Sequence, residues 1–108
     1  PLRRPNGMNR YGAILDDIGF GPMLRGLVGK YVRPLAQMLF PRHVGRGDAA
    51  EHFAFVVQYA QGGDVTLAEH RDAAVATLNV CLGHVGFGGG GLVFVDRAGT
   101  RRAVALTP

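Results

Sequence analysis

One cysteine among 108 residues is too few for an internal disulfide or a cysteine-built zinc knuckle, so Cys81 leaves the redox compartment open. No apolar run reaches the 18 residues of a membrane span, and no charged leader, apolar stretch and cleavage site open the chain. Lysine is scarce as well: eleven of the twelve basic residues are arginine, against eight acidic residues, for a net charge of +4. They occur singly or as the pairs Arg3-Arg4 and Arg101-Arg102, with no basic stripe interleaved with aromatics. A surface that tracks nucleic-acid phosphates is therefore not expected, and neither nucleic acid nor membrane is expected as a partner.

With 47% hydrophobic and 19% charged residues, the chain reads as globular, and its length suits one small domain. It does not begin with methionine and stops soon after a strand-like run, so both ends read as cut.

Residues 1–21 are rich in Gly, Pro and Asn around a short apolar insert at 11–15, an extended or single-strand lead-in. Residues 23–40 then carry Leu24, Leu27, Val28, Tyr31, Val32, Leu35 and Leu39 at the 3.6-residue period of a core-facing helix. Pro34 should kink this helix or break it after Val32, and Pro41 should stop it. A polar, Gly-containing loop follows at 41–52, in which His43 and His52 read as solvated. The period then changes to two. Phe53, Phe55, Val57 and Tyr59 alternate with Ala54, Val56 and Gln58, and further strands are expected at 65–72, 75–82, 91–95 and 102–106. Gly-rich turns between them, without intervening helices, predict an antiparallel sheet, sandwich or barrel.

Within this pattern lies "AEHRDAAVATLNVCLG", residues 68–83, with a histidine and an aspartate two positions apart. On a strand, such residues point the same way about 6.6 Å apart, whereas on a helix they diverge by roughly 200°. An imidazole nitrogen and a carboxylate oxygen on one face suit a divalent cation, and two histidines with one carboxylate form the facial triad of non-haem Fe(II) oxygenases. Alone, H-x-D is more often a solvated loop pair than a metal site. The following strand adds context: Thr77, Asn79 and Cys81 share one face while Ala76, Leu78, Val80 and Leu82 share the other, the pattern of a wet pocket wall rather than a charged surface.

"QYAQGGDVTLAEHRDAAVATLNVCLGHVGFGGGGLVFV", residues 58–95, resembles the core of the Fe(II)- and 2-oxoglutarate-dependent dioxygenases, in the subgroup similar to lysyl hydroxylases and prolyl 4-hydroxylases. The order matches: a strand-end tyrosine, a Gly-containing turn, H-x-D, T-x-N-x-x-L and a G-G-G segment leading into a strand. "PNGMNRYGAILDDIGF" and the helix after it also resemble the lead-in of the 2-oxoglutarate and iron-dependent oxygenase domain proteins. The resemblance implies an α+β chain, an N-terminal helix packed on a partial double-stranded β-helix (jelly-roll). Residues 1–108 would be one partial domain, with the lead-in and helix at 1–52 and the first part of the β-core at 53–108. It implies His70 and Asp72 as iron ligands, and Tyr59, Thr77 and Asn79 as residues lining the 2-oxoglutarate pocket, Tyr59 being equally a core tyrosine with its hydroxyl at the rim. Fe(II) would be the metal, and 2-oxoglutarate and O₂ the cosubstrates. L-ascorbate often supports such enzymes. The implied reaction couples decarboxylation of 2-oxoglutarate to succinate and CO₂ with hydroxylation of an unactivated C–H bond; subgroup analogy points to a peptidyl proline or lysine, and a small-molecule substrate remains open.

The chain also departs from the family pattern. The third iron ligand should be a histidine several dozen residues after the aspartate, yet none lies beyond His84, which is too close to serve. Arg97, Arg101 and Arg102 precede the place of the basic residue that anchors 2-oxoglutarate. Losing even an outer-shell partner costs 10–100-fold in metal affinity or activity, so the 108-residue chain is expected neither to retain iron well nor to turn over. A non-catalytic β-core remnant serving as a binding or structural module is the alternative. Gly86, Gly88 and Gly91 formally satisfy G-x-G-x-x-G, but a dinucleotide fingerprint needs a helix after them, and Leu92 to Val95 read as strand.

Overall fold

The computed structural model describes residues 2–45, 51–83 and 85–108, which fall into two compact units, Pro1–Thr77 and Leu78–Pro108. In the first unit, β1 (Gly12–Ile14) pairs antiparallel with β2 (Phe55–Val57), Ala13 lying opposite Val56. Backbone hydrogen bonds from Leu15 N to Ala54 O and from Gln58 N to Tyr11 O extend the ladder at both ends. The short apolar insert of the lead-in thus forms the expected strand. The strand expected from Phe53 to Tyr59 shortens to its central three residues.

Between these strands runs one interrupted helix. A single 3₁₀ turn (Asp16–Ile18) ends on Gly19 at φ +89°, a left-handed conformation that glycine adopts without penalty. Then α1 (Gly21–Leu27) begins with Pro22 in its first turn, where the missing N–H leaves no helical bond unmade. Residues Val28–Val32 form a π-helical turn, in which Arg33 N–H donates to Val28 O five residues back. The helix α2 (Arg33–Leu39) follows with Pro34 in its first turn. The expected break after Val32 is therefore real, and its form has a cause. In a continuous α-helix the Pro34 ring would press on the Lys30 carbonyl and leave it without a donor, and a widened turn relieves both.

The core of this unit is small: Ala13 and Ile14 of β1, Leu24 of α1 and Ala36 of α2 are its buried apolar residues. The expected helical stripe is only half buried. Leu24 is buried and Val28 and Val32 are half-buried, but Leu27, Tyr31, Leu35 and Leu39 are exposed. The inner line instead runs Gly21, Leu24, Val28, Val32, Ala36, because the two-stranded β1–β2 ladder is too narrow to cover both flanks of an apolar stripe more than 100° wide.

In the second unit, β3 (Leu92–Val95) and β4 (Arg101–Val104) form an antiparallel hairpin with Val93 opposite Ala103. Asp96 makes the turn. Its Oδ1 accepts from the N–H groups of Ala98 and Thr100, both at 2.9 Å, and Gly99 takes φ +83°. The strand after Gly91 excludes a dinucleotide fingerprint, as expected.

Two expected strands, at 65–72 and 75–82, are not formed. Their alternating pattern is present, but a strand needs a partner for its N–H and C=O groups, and Val65, Val75, Leu78, Val80 and Leu82 are exposed. The described residues thus combine helix with two separate two-stranded antiparallel sheets, a mixed α/β composition.

Candidate functional site

Residues 68–77 place three of the expected site residues together without a sheet. His70 Nδ1 lies 2.9 Å from the carbonyl oxygen of Ala68, and its Nε2 lies 3.1 Å from Asp72 Oδ1. The chain bends through residues 73–76 and returns Thr77, whose hydroxyl donates to Asp72 Oδ2 at 2.7 Å. His70 and Asp72 therefore lie side by side, but the cause is a hydrogen-bonded bend and not the strand on which their convergence was expected.

The protonation pattern follows from the partners. A carbonyl oxygen only accepts, so the Nδ1 proton is fixed on Ala68. Two arrangements then satisfy Nε2 and Oδ1. Either an imidazolium donates from both nitrogens, an exposed ion pair of little stabilising value, or a neutral imidazole and the carboxylate aim lone pairs at one cation. Adjacent donors at about 2.1 Å from an octahedral ion lie about 3.0 Å apart, which the observed 3.1 Å matches. Donation of the remote imidazole N–H to a backbone carbonyl is also how metal-bound histidines are ordinarily oriented. Side chains 33% and 47% exposed leave both donors open to an incoming ion. Among the described residues no group of three or more His, Cys, Asp or Glu side chains is placed to hold a metal. The donor set thus fits two positions of a coordination sphere.

The remaining expected residues lie elsewhere. Tyr59 stands two residues past β2 and joins a polar cluster around Asn9, whose amide donates to the tyrosine oxygen at 3.4 Å and to Asp64 Oδ2 at 3.5 Å. Asn9 is only 1% exposed. Asn6 closes the lead-in onto it: its Oδ1 accepts from the N–H groups of Met8 and Asn9, and its amide donates to Asn9 Oδ1. Asp64 Oδ2 also accepts from the backbone N–H of Arg10 at 2.8 Å and of Tyr11 at 3.0 Å. The Tyr11 N–H bond, with that from Arg10, holds the Asp64 carboxyl below its ordinary range against partial burial. Composition gave no sign of this cluster, although an asparagine such as Asn6 in a Pro/Gly-rich segment favours the Asx turn that its bond to the Met8 N–H makes.

Asn79 lies in the second unit, exposed and outside any strand, and Cys81 is a half-buried free thiol. His43 is exposed, as expected. His52 is not solvated: its side chain is largely buried, with Nε2 3.5 Å from Asp16 Oδ2, because the chain entering β2 passes the 3₁₀ turn. His84 lies outside the described residues. A cavity of about 260 Å³ is lined by Tyr11, Gln58, Ala60, Gln61, Gly62 and Gly63 and includes neither His70 nor Asp72.

Residues 1–45 match the OGFOD2-like domain. The chain is 44% identical over 93 residues to the 2-oxoglutarate and iron-dependent oxygenase domain-containing protein ICU11 of Arabidopsis thaliana, covering 86% of this chain and 23% of that protein. It is 45% identical over 95 residues to the 2-oxoglutarate and iron-dependent oxygenase domain-containing protein 2 of Homo sapiens, covering 87% of this chain and 27% of that protein. At greater distance it is 32% identical over 83 residues to human procollagen-lysine,2-oxoglutarate 5-dioxygenase 1, covering 75% of this chain and 11% of that protein. No solved structure matches significantly. Over most of its length the chain is similar to the 2-oxoglutarate and iron-dependent oxygenase domain proteins, and it spans about a quarter of the length of those relatives.

Proposed function

We propose that this chain contributes the first two iron ligands, His70 and Asp72, to an Fe(II)- and 2-oxoglutarate-dependent hydroxylase of jelly-roll architecture. The observation that carries the reading is the 3.1 Å edge between Nε2 and Oδ1, whose remote atoms are already committed to Ala68 and Thr77. His70 would present a lone pair because its proton is held at Nδ1. Asp72 would present one oxygen because the other is tied. Bound there with 2-oxoglutarate, Fe(II) would supply oxidative decarboxylation to succinate and CO₂ coupled to hydroxylation of a C–H bond. Tyr59 and Asn79 are the candidates for contact with 2-oxoglutarate, with L-ascorbate as supporting reductant. The name of the procollagen-lysine relative favours a peptidyl lysine as substrate, with peptidyl proline next.

The test uses the gene product that carries this chain. His70→Ala should abolish Fe(II)-dependent succinate formation. Unchanged succinate output rejects the ligand assignment.

A further inference from the structure

Thr77 was expected to face the 2-oxoglutarate pocket, but its hydroxyl is already used. A threonine hydroxyl has one proton to donate, and it donates that proton to Asp72 Oδ2 at 2.7 Å. A dicarboxylate such as 2-oxoglutarate offers only acceptor oxygens, so Thr77 has no donor left for it.

The same bond does something else. A free aspartate rotates about its terminal torsion through a broad, roughly two-fold well and would present either oxygen, or both, to a cation. With Oδ2 held by Thr77, rotation is restricted and Oδ1 is left on the side of His70 Nε2, 3.1 Å away. No strand holds residues 70–77, so backbone pairing does not supply this orientation.

We infer that Thr77 is a positioning residue for the metal carboxylate: its hydroxyl makes Asp72 a one-oxygen ligand directed at the ion that His70 faces. This inference rests on the proposed ligand pair. It implies that Thr77 acts with no contact to metal or cosubstrate, and that a hydroxyl, not the threonine methyl, is what the position requires. Serine should therefore replace it and valine should not.

Mn(II) titration of the 108-residue chain, followed by paramagnetic broadening of backbone amide signals, detects weak binding and locates it. In the parent chain, amides of residues 68–78 should broaden first. Thr77→Val should raise the Mn(II) concentration at half-broadening about tenfold, while Thr77→Ser should stay within about twofold of the parent. Amide shifts of β1, β2 and the β3–β4 hairpin should not move in either variant, since Thr77 is exposed. A valine variant that titrates like the parent overturns the positioning role while leaving the ligand pair intact. Broadening that survives both His70→Ala and Asp72→Ala, or a parent chain in which these amides never broaden, overturns the ligand pair and the Thr77 role with it.

Discussion

His70 Nε2 stands 3.1 Å from Asp72 Oδ1 although neither residue lies in a strand. Two bonds on the far sides of these groups, His70 Nδ1 to the Ala68 carbonyl and the Thr77 hydroxyl to Asp72 Oδ2, orient them instead. Each side chain therefore has one atom fixed by the protein and one directed at its neighbour. This is the minimum arrangement from which a cation site can be assembled by adding further donors.

On the proposed pair His70 and Asp72, Fe(II) should bind at least about tenfold more weakly than on the same pair completed by a third imidazole. Anaerobic Fe(II) titration of this chain, beside the gene product that carries it, measures the difference. Stoichiometric iron and 2-oxoglutarate decarboxylation by the 108 residues alone would contradict it.

Metal should enter at Nε2 and leave Nδ1 protonated. Long-range ¹H–¹⁵N spectra of the chain with diamagnetic Zn(II) should show His70 with its proton on Nδ1. Metallation of Nδ1 would mean that the Ala68 hydrogen bond breaks on binding and does not orient the ring.

Acid should release the lead-in. Asp64 is held below the ordinary carboxylate range by the N–H groups of Tyr11 and Arg10, so its folded-state pKa lies under its unfolded value of 3.8. The stability it contributes is thus present above pH 3.8 and lost as pH falls through the lower folded value. Asp17, held low chiefly by its hydrogen bond from Arg3, acts in the same direction. Circular dichroism between pH 5 and 2 should show a loss of folded signal that Asp64→Asn makes shallower. An identical acid profile in that variant would remove Asp64 from the account.

Asn9→Ala should cost about 1–3 kcal/mol, because it removes the acceptor of the Asn6 amide and the donor to Tyr59 and Asp64 at a position that is 1% exposed. Urea unfolding measures it. A change under about 0.5 kcal/mol, the range of ordinary surface substitutions, would show that the cluster is replaceable by water.

Gly12→Ala and Gly19→Ala separate two costs. Both glycines have positive φ, at +146° and +89°. A Cβ on Gly19 meets nothing, so alanine there should cost about 1 kcal/mol of backbone strain. A Cβ on Gly12 collides with the Val56 carbonyl across the β1–β2 ladder, so its cost should clearly exceed that of Gly19→Ala. Equal urea midpoints for the two variants would indicate that the ladder shifts freely.

The sequence by itself determined what depends on neighbours along the chain. The helix, its interruption before Pro34 and the hairpin around the Asp96-to-Thr100 turn all follow from local periodicity, ring geometry or spacing. Only tertiary structure decided what depends on a partner far along the chain. Residues 65–72 and 75–82 have strand alternation but, among the described residues, no strand beside them, so they form no ladder, and half of the helical stripe faces solvent because the β1–β2 ladder is too narrow to cover it. The commitment of Thr77 to Asp72, the burial of His52 against Asp16 and the closure of Asn9 onto Tyr59 and Asp64 depend on side-chain direction after the chain has bent. Period and composition do not encode that direction, since a hydroxyl or amide has the same propensity whether it meets water, a carboxylate or a cosubstrate.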